Sequence, residues 1–284
     1  MKRFAILPLT ALLLTACSGQ TGASILGLLE ALLSDSETTA TDSAQAENMV
    51  VIPSFEQSSL ELPAEVRGSV TVTYSAYTSS YNQKTLIPDW VAYELTASET
   101  DGEELRGERM FSMDKRVKGP QAMREDYYDS GWTKGHMAPA SDFRWSADAM
   151  DDTFHFTNVC PQNEHLNGKD WEYLERQVRS WAEKFGKVWV VTGPVIGTNK
   201  YGRIGERGVV VPDGFFKAVM ACKNGNYKAI AFVMGNDEER YWLKDCAVTI
   251  DDVERMTGLD LYPALEDKVE AAVESSITPS FWGI

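Results

Sequence analysis

His136 stands in Ser130-Gly131-Trp132-Thr133-Lys134-Gly135-His136-Met137-Ala138-Pro139, a Gly-rich segment with a lysine two positions before the imidazole. An unperturbed imidazole is largely neutral near pH 7 and can take a proton from water. Downstream, Asn167, Trp171, Glu175 and Arg179 are each four residues apart. On a helix this spacing lines up an amide, a carboxylate and a guanidinium along one slowly drifting face. Mg²⁺ keeps several waters and needs few protein ligands. The set therefore suits metal-assisted hydrolysis of a phosphodiester: His136 activates a water, Asn167 holds the hydrated ion, and cations receive the phosphate charge. Arg109 is a further candidate, since a guanidinium binds phosphate bidentately.

Each residue also has a plain structural reading. Glu175 and Arg179 suit an exposed i,i+4 ion pair, and Asn167 suits a helix cap. Taken singly, Arg109 is a surface arginine. One continuous helix also creates a geometric strain. Eight residues rise about 12 Å, so Asn167 and Glu175 cannot both touch one ion, and Glu175 reaches a metal-bound water instead. His155, in Phe154-His155-Phe156, reads as a strand residue, and His165 as a surface residue just before the helix. Three histidines so spaced do not suggest a shared metal site.

Several elements must position this set. Period-two alternation predicts a strand over Ser69–Tyr77 and a second over Trp90–Leu95. Apolar spacing predicts a helix over Asp170–Phe185, followed by a buried strand over Lys187–Thr192 that Gly193-Pro194 closes. Phe215–Cys222 and Tyr227–Met234 flank Asn224-Gly225, a hairpin signal. Ile250–Thr257 reads as a short helix with Asp251 as N-cap and Gly258 as its stop. The expected class is α+β, with a mainly antiparallel central sheet flanked by helices.

The chain has 284 residues and a net charge of −15. That charge argues against a nucleic-acid partner, but its distribution does not. Residues 30–104 carry 14 acids and 2 bases, and residues 236–284 carry 12 acids and 4 bases. Residues 105–235, which hold the motifs, carry 16 acids and 19 bases. Non-specific affinity for nucleic acid should be modest and salt-sensitive.

At the N-terminus, Lys2 and Arg3 precede a short apolar run ending Leu14-Thr15-Ala16-Cys17. It is too short to span a bilayer and has the form of a signal peptide over residues 1–16, with Cys17 resembling a lipidation site. Residues 17–49 then read as a lipid anchor and flexible tether, and 50–284 as the folded domain. The expected location is a bacterial cell envelope, lipid-anchored and exported. Of the remaining cysteines, Cys222 and Cys246 are the expected pair, and Cys160 a buried small hydrophobe.

These segments together resemble the DNA/RNA non-specific endonuclease family, whose active site is a ββα-metal, or His-Me, finger. The resemblance spans roughly Tyr81 to Leu265. It rests on Trp90 to Leu95, Gly135 to Ala140, Asn158 to Gln162, Asn167, Trp171, Leu174-Glu175 and Val191 to Pro194. It implies cleavage of DNA and RNA, with His136 as general base, Asn167 as direct Mg²⁺ ligand and Glu175 on the metal waters; Mn²⁺ is the alternative ion. Arg109 and Arg179 would stabilise phosphate charge, and Asn158 would orient the site; Lys134 is a further catalytic candidate as the cation beside His136. No protein partner is implied. The family's usual Asp-Arg-Gly-His is here Thr133-Lys134-Gly135-His136, which keeps a charge at Lys134 but loses a planar fork and a carboxylate. The alternative class is a non-catalytic surface lipoprotein using the same fold to bind a partner.

Overall fold

The structure is a computed structural model that describes residues 59–284. In chain order its strands are β1 (Val70–Thr73), β2 (Thr78–Asn82), β3 (Ile87–Thr96), β4 (Thr133–His136), β5 (Val159–Gln162), β6 (Lys187–Val195), β7 (Arg203–Ile204), β8 (Val209–Val210), β9 (Gly214–Lys223), β10 (Asn226–Gly235) and β11 (Ala247–Val248). The α-helices are α1 (Ala147–Asp152), α2 (Glu164–Gly168), α3 (Asp170–Phe185), α4 (Leu243–Cys246), α5 (Ile250–Thr257), α6 (Asp267–Glu274) and α7 (Pro279–Trp282). Strands β1-β2-β3-β6-β9-β10-β11 pair in that order into one sheet. Every pairing in it is antiparallel, as the α+β expectation required. Two small ladders, β4–β5 and β7–β8, stand apart from it.

Strand alternation sends side chains to two faces. On β9, Phe215, Val219 and Ala221 join the core that also takes Trp171, Leu174, Val178 and Trp181 of α3. Phe216, Ala218 and Met220 join the opposite core, under Ile250 and Val253 of α5 and Val269 and Val273 of α6. Lys217 shares the parity of Phe215 and Val219, so its chain is directed to the α3 side. Burial of both faces explains why the central strands read as continuous apolar runs.

Several elements differ from expectation. Ser69–Tyr77 is not one strand: the chain reverses between β1 and β2, where the Tyr74 amide donates to the Tyr77 carbonyl at 2.8 Å. Strand β6 does not close at Gly193-Pro194. It runs on to Val195, because past Thr192 it pairs only with β9, and the missing Pro194 amide faces no partner strand. The N-cap of α5 is Thr249 rather than Asp251, with Asp252 completing a capping box. His155 caps a short 3₁₀ turn instead of lying in a strand, and His165 lies inside α2. Among the described residues, Cys160, Cys222 and Cys246 form no disulfide with one another. Cys222 stands opposite Tyr227, whereas Cys246 adjoins Ala247, which stands opposite Phe232. Five residues of strand put the two thiols roughly 17 Å apart along β10, beyond the span of a disulfide.

Candidate active site

Strand β4 reaches its close pairing with β5 through Gly135, opposite Cys160, where a Cβ would run into the Gln162 side chain. The ladder sets His136 opposite Val159. The turn after His136 is fixed by buried Asn158. Its Oδ1 accepts from the Ala138 amide at 2.8 Å, and its Nδ2 donates to the Ala138 and Thr153 carbonyls at 2.9 and 3.0 Å. After β5, Asn163 caps α2 by accepting from the His165 and Leu166 amides.

The chain then leaves helical geometry at Lys169 (φ −133°, ψ −84°) before α3 begins. Asn167 therefore lies on α2 and Glu175 on α3, and the stripe does not run along one continuous helix. Asn167 and Glu175 both line a cleft of about 500 Å³ together with His136. Arg106 and Arg144 line it as well.

His136 packs between Phe111 and Phe154, with ring centroids 5.0 and 5.1 Å away. Burial in this apolar setting, assisted by the positive charge of Arg106, pushes its pKa down to about 3. The imidazole is thus neutral at pH 7, and its Nε2 is buried without a hydrogen-bond partner among the described residues. Asn167 is oriented by Thr133: its Nδ2 donates to Thr133 Oγ1 at 3.1 Å, and that hydroxyl donates to the Gln162 carbonyl at 2.8 Å. The amide oxygen of Asn167 is left for another electropositive partner.

Behind the cleft lies a buried charge network that single-sequence reasoning missed. Arg179 bonds Asp142 at 2.7 Å, and the Tyr93 hydroxyl donates to the other oxygen of Asp142 at 2.7 Å. Lys217 is fully buried, donates to the Met137 carbonyl at 3.2 Å, and lies 4.9 Å from the Trp171 ring centroid. Burial raises the Glu175 carboxyl; Lys217 and Arg179 oppose that rise, while Asp142 adds to it. Burial lowers the Lys217 ammonium, against the pull of Glu175 and Asp142.

The other expected site residues fall outside the cleft wall. Arg109 is engaged by Glu104, Asp151 and the carbonyls of Leu105 and Arg106, so it braces the 104–109 loop. Arg106 occupies the cleft in its place. Arg179 is held by Asp142 behind Glu175. Lys134 rests 5.2 Å from the Tyr127 ring centroid.

The donor set fits a hard, hydrated cation. A neutral imidazole, an amide oxygen without a donor among the described residues and the Glu175 carboxyl share one cleft, and no cysteine lines it.

The β4–β5 ladder and the helices that follow it pack on an antiparallel sheet and set a neutral histidine and an oriented asparagine over one cleft, the arrangement of a nuclease fold. Residues 58–268 match the DNA/RNA non-specific endonuclease family, and the chain belongs to it. Nucleases of this family are metal-dependent. The chain is 37% identical over 216 residues to mitochondrial nuclease EXOG of Danio rerio, covering 70% of this chain and 62% of that one. It is 35% identical over 201 residues to human mitochondrial endonuclease G, covering 66% and 68%. It is 34% identical over 208 residues to the mitochondrial nuclease of Saccharomyces cerevisiae, covering 65% and 63%. Its fold is similar to that of EndoG in a crystal structure of the EndoG/EndoGI complex, with TM-score 0.66 and 28% identity over 70% of this chain and 87% of that one. The mitochondrial relatives overturn the expectation of a lipid-anchored protein of a bacterial envelope. Cys17 and the expected signal and tether segments lie outside the described residues.

Proposed function

We propose that this chain is a Mg²⁺-dependent endonuclease that hydrolyses phosphodiester bonds of DNA and RNA, within a nuclease domain running from about residue 50 to 284. The observation that carries the reading is the convergence of His136, Asn167 and Glu175 on one cleft across the break at Lys169. The neutral imidazole of His136 takes a proton from water as that oxygen attacks phosphorus and the bond from phosphorus to the leaving oxygen breaks. Asn167 Oδ1 would hold the ion directly, and Glu175 would hold its waters; Mn²⁺ is the alternative occupant. When bound, the ion polarises the phosphate and stabilises charge on the leaving oxygen. Asn158 positions His136 through the following turn. Arg106 and Arg144 receive phosphate charge at the cleft wall. Arg109 and Arg179 act from behind it, and Lys134 adds positive charge on the same strand.

The test is incubation of the full chain with plasmid DNA and with RNA, with and without Mg²⁺. Cleavage of both that stops in EDTA is the expected result. Binding without cleavage at any Mg²⁺ concentration would replace the enzyme by a non-catalytic binding module.

A further inference from the structure

Beside the cleft runs a second groove of about 660 Å³, between the exposed side of α3 and the segment joining β10 to α4. The two are continuous, since Gly168 and Glu172 line both. Two large aromatic side chains stand out of this groove: Tyr173 is 49% exposed and Trp242 is 56% exposed. Each has a guanidinium near its ring, Arg176 at 5.8 Å from the Tyr173 centroid and Arg240 at 4.7 Å from the Trp242 centroid.

The arrangement is built rather than incidental. Asp170 is only 6% exposed and accepts from the Tyr241 amide at 2.8 Å, which ties the Arg240–Trp242 segment to the start of α3. Arg240 reaches the same carboxylate at 3.4 Å. The groove's charged side chains are Lys169, Arg176, Arg240 and Lys244 against Asp170 and Glu172. Arg176 pairs with Glu172 at 2.6 Å as Arg240 does with Asp170, so Lys169 and Lys244 carry the groove's excess positive charge, which in a chain of net charge −15 complements a polyanion.

We propose that this groove is a subsite for single-stranded nucleic acid, which extends from the cleft so that bases stack on Tyr173 and Trp242 while Arg176 and Arg240 take the phosphates. The inference rests on the nuclease reading and adds to it a preference for unpaired strand. Exposed aromatic rings alternating with cations are how proteins hold single strands without reading sequence, because every base has a π-face. Paired bases within a duplex cannot offer that face.

The test uses the full chain in EDTA and fluorescein-labelled oligonucleotides, followed by anisotropy. The probes are a single-stranded 4-mer, a single-stranded 16-mer in DNA and RNA forms, and a 16-base-pair duplex. Trp242→Ala and Tyr173→Ala should each weaken the 16-mer about five- to a hundredfold, the loss of one base–aromatic stack. The 16-mer's advantage over the 4-mer should shrink with it, duplex affinity should change little, and Trp242→Phe should retain most of the affinity. Both aromatic residues are exposed, and circular dichroism checks that the variants fold. Unchanged 16-mer affinity in both alanine variants overturns the subsite, and an equal loss on the duplex overturns its single-strand assignment. These binding results stand apart from the nuclease reading, which fails only if the unmodified chain cleaves none of these probes when Mg²⁺ is restored.

Discussion

Thr133 Oγ1 accepts the Asn167 amide hydrogen at 3.1 Å, across 34 residues of sequence. The hydroxyl occupies the position where the family's usual signature has a carboxylate. It fixes which side of the amide meets the cleft, and it does so without adding negative charge. Thr133→Val keeps the shape and removes the bond. The expected outcome is Mg²⁺ affinity weakened about 10–100-fold, as for other groups that orient a metal ligand. Isothermal titration of Mg²⁺ checks this, and unchanged affinity would make the bond incidental.

Lys217 is the only fully buried lysine of the described residues, and it reaches from β9 to the Met137 carbonyl, next to His136. Lys217→Met would leave Glu175 and Asp142 with Arg179 as their remaining close cation. Removing one partner from a buried charge set typically destabilises by about 3–5 kcal/mol. Lys217→Met/Glu175→Gln should recover part of that loss, because the unpaired carboxylate goes too. Chemical denaturation of the two singles and the double gives the coupling energy. Strictly additive losses would remove the Lys217–Glu175 relationship.

The depressed pKa of His136 sets a pH dependence. A histidine held near 3 in the free protein stays in its proton-accepting form far below the usual value of 6.5. The acid limb of kcat/KM should therefore lie below pH 5. Arg106→Gln removes the second cause of the depression and should move that limb upward. An acid limb near 6.5 in the unmodified chain would mean that the imidazole is solvated.

Much of this was legible in the sequence where the determinants are local. Helix α3 spans Asp170–Phe185 as its apolar spacing predicts. The Asn224-Gly225 turn joins Lys223 to Asn226 with both φ values positive, 54° and 77°. The missed features depend on distant partners. The break at Lys169 interrupts a stripe that i,i+4 counting treats as continuous. Arg106 and Arg109 differ by three positions, and only the loop conformation decides which faces the cleft. Asp142 finds Arg179 across 37 residues, a pairing no local pattern carries. Lys217 left a trace, as a lone cation in an apolar strand, but the trace named no partner.

On the opposite face of the sheet, Glu274 is 7% exposed and its Oε1 has no partner among the described residues. Asp251 and Glu254 offer carboxylate oxygens within 4.8 Å. Burial first, and then the neighbouring carboxylates led by Glu254, raise its pKa from 4.5 to about 8. A raised acid pKa contributes stability that is fully present below 4.5 and is lost as pH rises through 8. Glu274→Gln should thus leave the melting temperature unchanged at pH 4 and raise it above pH 8, by about 2–4 °C per kcal/mol recovered. Calorimetry at both pH values decides it, and a gain equal at both would point to a cause other than charge.

Asn167→Ala should depress Mg²⁺-dependent activity more than Glu175→Ala does. Asn167 is the residue proposed to touch the ion, and its oxygen has no donor competing for it among the described residues. Glu175 would act on metal-bound water, a role that solvent can partly fill. Losing it should cost about 10–100-fold, whereas losing the direct ligand should depress turnover at any attainable Mg²⁺. Glu175→Ala also strips a counter-charge from buried Lys217, so its stability must be measured alongside. A Mg²⁺ titration of both variants, at a temperature where each is folded, separates metal binding from folding. Near-normal turnover and affinity in Asn167→Ala would return the α2–α3 residues to a structural role, with Thr133 and Asn167 as one more half-buried hydrogen bond.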